Sequence, residues 1–435
     1  MGVILTEKYA HLIEKKGFDK LFHMGLSFFP LLKDVARSGK LRELSSFAIW
    51  EVKHTLGLYG KKSYLHFDDT KPLVLDEGSD IRRLDFTLLG KKPYQIAKTP
   101  HPWRVRFETS KGVLYGTLED DNKTFYRSDD NGKTLQKHHH FDEMIMSLFV
   151  TKKQSIIVCT TGIVYRSEDG GVSFEEVLRL SNPGHHESYI FHINGFTQNN
   201  HGEIFMGEYG NVAKDGRWMN VANIYHSKDD GVHWQKSEFL KRYGVNKHVH
   251  MIKYSHLFKR VFLTDGDNLK KLWISSDDVG FDVNHDWKLV NRFHIQMGGF
   301  TSMTEQGDSL FLGTDYLGGT NFLVSTKDAK KFTKRLIPDP YRRSPLMSMV
   351  NRIGQTEEIW IVLHNPISSK TRCLLMCSLD GAKTFQRILE YDGTRFEVQL
   401  NSDATQPTQR VSFALTDKQK RYGVCYEVTS GGKIC

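Results

Sequence analysis

One short phrase recurs along the chain and constrains its fold more than any other feature. It reads Ser128-Asp129-Asp130-Asn131-Gly132-Lys133-Thr134, then Ser167-Glu168-Asp169-Gly170-Gly171-Val172-Ser173-Phe174, then Ser227-Lys228-Asp229-Asp230-Gly231-Val232-His233-Trp234. A partial copy opens at Ser276, a worn copy at Ser325, and the last is Ser378-Leu379-Asp380-Gly381-Ala382-Lys383-Thr384-Phe385. Each follows a short β-rich run, such as 124–127 or 163–166. Within such a phrase Ser and Asp side chains bond the backbone of a tight turn, Gly permits a positive φ, and the aromatic residue anchors the turn on its own sheet. These carboxylates are therefore read as structural rather than catalytic.

The six serines lie roughly 40 to 60 residues apart, the length of a four-stranded propeller blade with its loops. Six copies account for six blades. The third is expected at 189–198, 203–207, 224–226 and 234–237. The tail, 395–428, supplies further strands, and a strand from before residue 100 is expected to complete a seventh blade, because closure removes exposed sheet edges. The expected architecture is an all-β propeller of about seven four-stranded blades over 59–435, preceded by a helical segment over 1–58. In that segment Leu12, Ile13, Phe18, Leu21 and Phe22 recur at helical spacing, as do Leu41, Leu44, Phe47, Ile49 and Trp50. It reads as a cap on the propeller or as an amphipathic segment for an acidic membrane surface or a partner.

A formal net charge of +9 favours anionic partners. Lys and Arg are scattered and form no nucleic-acid module, so nucleic acid is not an expected partner. The N-terminus lacks a signal-peptide core and no run of 18 apolar residues occurs, which points to the cytoplasm. Five cysteines, an odd and sparse set, do not form a disulfide framework.

In a propeller, the turns joining third to fourth strands lie on one face. The loops leading into the innermost strands, and those joining second to third strands, gather on the other. On that opposite face the sequence places His101, Trp103, Arg104, His138, His139, His140, His185, His186, Glu187, Tyr189, Arg242, Tyr243, His248, His250, Arg292, His294, Gln296 and Tyr341 to Arg343. Glu208, Tyr209, Asp265, Asp267, Asp315, Tyr316 and His364 join them. His248 and His250, spaced i, i+2 on a strand, share a face. With Gln296 or Asp315 they could hold a divalent metal, or serve as general base and substrate contact, or be buried core residues. The expected catalytic set is His248, His250, Tyr209 and Glu208. The expected substrate contacts are Arg242, Gln296, Arg292, His186, Asp315 and Tyr316. No cofactor is required, and any metal would sit on His248 and His250.

Over about 95–390 the chain resembles Asp-box (BNR-repeat) propeller proteins of the sialidase-like superfamily, a likeness carried by the Ser-x-Asp-x-Gly phrases. Sialidases carry a Phe/Tyr-Arg-Ile-Pro segment. The nearest stretch here, Trp103-Arg104-Val105-Arg106-Phe107, departs from it and argues against that activity. The His- and Tyr-rich face is similar to that of propeller polysaccharide lyases, which implies His or Tyr for the proton and Arg or Gln for a uronate. The expected function is a glycosidase or polysaccharide lyase acting on an acidic glycan. Hydrolysis would draw on Glu187, Glu208 or Tyr209. The alternative is a non-catalytic propeller that binds glycan or protein, for instance in cell-surface polysaccharide assembly.

Overall fold

The computed structural model describes residues 29–37 and 41–431, except 187, 215–216, 244–247, 267–270, 277, 279, 291–298 and 402–406. Of residues 42–44, 46, 47 and 211–220 it describes the backbone alone. Seven sheets, each with four antiparallel blade strands, follow one another around a channel, and two short strands, His66–Phe67 and Leu73–Leu75, join the outer strand of the sixth in parallel. Blade one is Trp103–Glu108, Leu114–Leu118, Thr124–Ser128 and Gln136–His140. Blade two is Ser147–Val150, Ile156–Cys159, Ile163–Ser167 and Glu175–Arg179. Blade three is Phe196–Gln198, Ile204–Lys214, Ile224–Ser227 and Gln235–Ser237. Blade four is Val249–Ser255, Arg260–Asp265, Leu272–Ser275 and Trp287–Leu289. Blade five is Gly299–Gln306, Ser309–Asp315, Phe322–Thr326 and Thr333–Leu336. Blade six is Leu346–Ile353, Glu357–Leu363, Arg372–Ser378 and Thr384–Asp392. Blade seven takes Phe396–Leu400, Val411–Asp417 and Tyr422–Ser430 from the tail and Tyr94–Lys98 from before blade one. That last pairing closes the ring as the sequence predicts, and hides the edges that an open stack would expose.

Burial follows position in the blade. Val249–Ser255 is buried along its whole length because neighbouring blades cover both of its faces. Gln136–His140 is an outermost strand and largely solvated. His138, His139 and His140 therefore lie on the rim of blade one, not on the loop face where the sequence placed them.

The repeated turns are built as their chemistry requires. The Asp130 carboxylate accepts from the amides of Lys133 and Thr134 at 3.0 and 2.9 Å and from the Thr134 hydroxyl at 2.8 Å, while Ser128 Oγ accepts from Gly132 N. Asn131 and Gly132 take φ of 63° and 80°. Asp169, Asp229 and Asp380 make equivalent contacts. These donors, led by the Thr134 amide, hold the Asp130 carboxyl down at about 2. In the two worn copies the register is one residue off expectation. The buried strand-end residues are Ser275 and Thr326, not Ser276 and Ser325. The turn hydroxyl must close the third strand on its inward face, and alternation leaves the neighbouring serine facing out.

Blade three also differs from expectation. Its innermost strand is only Phe196–Gln198, and Ser188–Ile190 pairs separately with the far end of Ile204–Lys214. That second strand overshoots the blade and carries Arg217–Val221 as a further partner. Before the propeller, residues 29–37 and Leu41–Thr55 are helical; Leu12, Ile13, Phe18, Leu21 and Phe22 lie outside the described residues. Glu51 docks the second helix. Its carboxylate meets Arg342 at 2.5 Å and Arg343 at 2.7 Å. Burial would raise its pKa, but the two guanidinium groups outweigh that and hold it below the ordinary value. Trp50 adds an edge contact on Phe322, and His54 reaches Asp339 at 2.8 Å. Arg342 and Arg343 thus serve this dock rather than a ligand. Among the described residues no helix is long and apolar enough to cross a membrane.

Candidate functional site

The innermost strands begin on the face opposite the repeated turns, and several begin with a bulge. Register shifts occur between Trp103 and Val105, Val249 and Met251, Phe300 and Ser302, and Leu346 and Ser348. A bulge leaves one residue unpaired and re-aims it. The unpaired residues are Arg104, His250, Thr301 and Met347, and the last three line one cavity of about 330 Å³ at this mouth of the channel. Blades three to seven contribute Tyr209, His248, Asp315, Ser348, His364 and Glu397 to the same wall.

His248 and His250 are buried, with their Nε2 atoms 3.1 Å apart. His250 Nδ1 lies 3.4 Å from Asp315 Oδ2. The Tyr209 ring covers His248 at a centroid distance of 3.8 Å. A contact between two imidazole nitrogens needs one N–H and one lone pair. With the Nδ1 proton of His250 toward Asp315, His250 Nε2 accepts and His248 Nε2 donates, which leaves the lone pair of His248 on Nδ1. The bulge shows that simple strand alternation is not why these rings meet. Gly266 makes room for them: a Cβ there would stand 2.2 Å from His250 Nε2.

His364 closes another side of the cavity, at the end of the second strand of blade six. Its ring stacks with Tyr391 at 6.1 Å, and burial, with the Lys418 charge, lowers its pKa to about 4. It is neutral at physiological pH.

Of the expected site residues, His248, His250, Tyr209 and Asp315 come together. Glu208 does not join them. It is fully buried on the other side of its strand and accepts from Ser181 N, Ser181 Oγ, Asn223 Nδ2 and Tyr225 OH at 2.7 to 3.0 Å. The alternation that brings Tyr209 to the cavity sends Glu208 into the blade, where four donors satisfy a structural carboxylate. Arg242 is exposed on the short helix Phe239–Arg242, near enough to Asp282 for their charges to interact, and does not line the cavity. His186 is exposed and stacked on His185 at 4.5 Å, and Tyr316 is half-buried beside Asn321; neither lines the cavity. Arg292, His294, Gln296, Glu187 and Asp267 lie outside the described residues. Asp265 is buried beneath the site, its pKa raised to about 6 by burial.

Most of the other lining residues escaped the sequence reading, among them three polar ones. His192 bridges to the Arg106 carbonyl at 2.9 Å, and Glu397 and Gln399 come from the first strand of blade seven. That blade has no repeated turn to set its register, although the i, i+2 spacing of Glu397 and Gln399 was a usable signal. Among the described residues no three His, Cys, Asp or Glu side chains are arranged to hold a metal ion. Cys159, Cys373, Cys377 and Cys425 are buried free thiols.

No family model and no curated protein matches the chain. Solved structures do. One is a catalytically inactive histidine-to-alanine variant of virginiamycin B lyase from Staphylococcus aureus with quinupristin, at a TM-score of 0.52 and 14% identity, covering 77% of this chain and 98% of that one. Another is YCF48 bound to D1 peptide, at a TM-score of 0.49 and 14% identity, covering 79% and 98%. At such identities the likeness is one of architecture, and the chain is a seven-bladed β-propeller with a histidine-lined cavity at one mouth of its channel.

Proposed function

We propose that this propeller is a carbohydrate-active enzyme of the lyase class, acting on an acidic glycan at the His248–His250 cavity. The observation that carries the reading is the series Asp315, His250, His248, with Tyr209 over its end. A carboxylate that orients one imidazole, which in turn orients a second, sets up a general base. In the elimination, the paired imidazoles of His248 and His250 take up the proton next to the uronate carboxylate. The electron pair of that C–H bond forms the new C=C bond, the C–O bond to the leaving sugar breaks, and the Tyr209 hydroxyl gives its proton to the departing oxygen. Phe191 and Tyr209, with ring centroids 4.6 Å apart, offer a surface for a sugar ring. The virginiamycin B lyase fold supports the reading to this extent: a propeller of this architecture houses a lyase that a histidine-to-alanine change inactivates.

The described lining contains no Arg or Lys. The carboxylate of a uronate would then be met by neutral hydrogen-bond donors of the wall and not by a fixed cation. The test is a screen of acidic oligosaccharides, read by mass and by absorbance of the unsaturated product. His248→Ala should lower turnover about 10²- to 10⁴-fold with thermal stability retained. Product formation undiminished in that variant sinks the mechanism. A propeller that binds the glycans but releases no product is the non-catalytic alternative.

We also propose that the docked helix meets an anionic membrane. Its outer side exposes Ile49, Val52 and Leu56, spaced as one helical face, and Leu58 follows, with exposed Lys53, Lys61 and Lys62 beside them. Apolar area flanked by cations suits an acidic bilayer surface.

A further inference from the structure

The other end of the channel holds a larger cavity, of about 640 Å³, where the innermost strands end. Its wall carries four cationic side chains, Arg106, Lys111, Lys152 and Arg410, against one carboxylate, Glu108. Arg106 is 2% exposed and sits on an innermost strand, an unusual place for a guanidinium. It is locked in position by Glu427 at 2.7 Å and Glu108 at 3.3 Å. Arg410 shares both carboxylates, at 3.7 Å each. The two arginines and two glutamates balance one another, and Arg106 Nη1 has no hydrogen-bond partner among the described residues. The excess charge comes from two exposed lysines, Lys111 and Lys152, the second with its Nζ steadied by the Asn199 carbonyl at 2.9 Å. Hydroxyl and amide side chains, among them Thr109, Ser110, Gln154 and Gln409, fill the rest of the polar wall. The contrast with the upper mouth is one of sign, since that cavity has histidines and carboxylates and no described Lys or Arg.

We propose that this lower mouth is a second ligand site, which takes a small molecule bearing an oxyanion, carboxylate or phosphate, on a hydroxylated frame. Fixed guanidinium groups and two ammonium groups around a concave wall supply charge-assisted donors with little reorganisation. The amide and hydroxyl side chains supply the partners that sugar-like hydroxyls need. The site is separate from the upper cavity and does not rest on the reading given to it.

The test uses the full chain and two probes, inorganic phosphate and glucuronate, titrated by calorimetry at low salt. At least one should bind, more weakly as salt rises, and the one that binds tells a phosphate ester from a uronate. Lys152→Met and Lys111→Ala lie outside the arginine–glutamate quartet and should fold normally by circular dichroism. Lys152→Met should weaken binding about tenfold, and the double variant further. His248→Ala should leave it unchanged. Absence of binding by both probes at millimolar concentration overturns the proposal. So does binding that both lysine variants leave intact, or binding that His248→Ala removes, which would place the anion at the upper mouth.

Discussion

Stability should depend on acid through one residue of the upper cavity. In the unfolded chain an imidazole takes a proton near its ordinary value of about 6.5. In the folded protein burial holds His364 neutral down to about 4. Between those two values the unfolded state binds more protons than the folded one, so stability falls as pH drops through that window and is level on either side. One pKa unit corresponds to about 1.4 kcal/mol. The His364 contribution lost is therefore about 2 kcal/mol at pH 5 and approaches about 3 kcal/mol at and below pH 4. The perturbation is His364→Gln, which keeps a polar group of similar reach and cannot titrate there. Urea unfolding at pH 7 and pH 5 should show wild type losing about 2 kcal/mol more than the variant over that interval. Other groups titrate in both proteins and cancel in the difference. Equal losses in wild type and variant would falsify the account, because the ring would then be reaching water or a carboxylate in the folded protein.

The helix carries two further expectations. Glu51→Gln leaves Arg342 and Arg343 without their shared carboxylate, and should destabilise the protein by about 2–3 kcal/mol, somewhat below the range for a fully buried pair because Asp339 still faces Arg342; unchanged urea midpoints would show that the helix is not held by this contact. The protein should also sediment with anionic vesicles at low salt and be released as salt rises, and indifference to such vesicles rules out the membrane contact.

How much of this was legible in the sequence varied with the range of the interactions involved. The turn phrases could be read because every group that holds them lies within about one turn of chain: Asp130 bonds only residues up to Thr134, and the same offsets recur at Asp169, Asp229 and Asp380. Blade number and the closing strand followed from their spacing. The slips were of one residue, at Ser276 and Ser325, where worn copies leave the inward-facing hydroxyl to the strand's alternation.

The site was legible only in part. His248, His250, Tyr209, Asp315 and His364 could be placed at one mouth of the channel because they flank strands whose order the turns had already set. Glu208 was misplaced beside Tyr209, since nothing local tells which of two adjacent strand residues faces the channel once a strand overshoots its blade. His192 and Glu397 were missed because they reach the cavity only after the seven sheets close into a ring. Short-range hydrogen bonding in contiguous residues determined the repeat, the blade and the count of blades. The tertiary structure alone decided which bulged residues point inward, which carboxylate finds four donors and which meets a histidine, because those outcomes depend on packing between residues that lie tens to hundreds of positions apart in the chain.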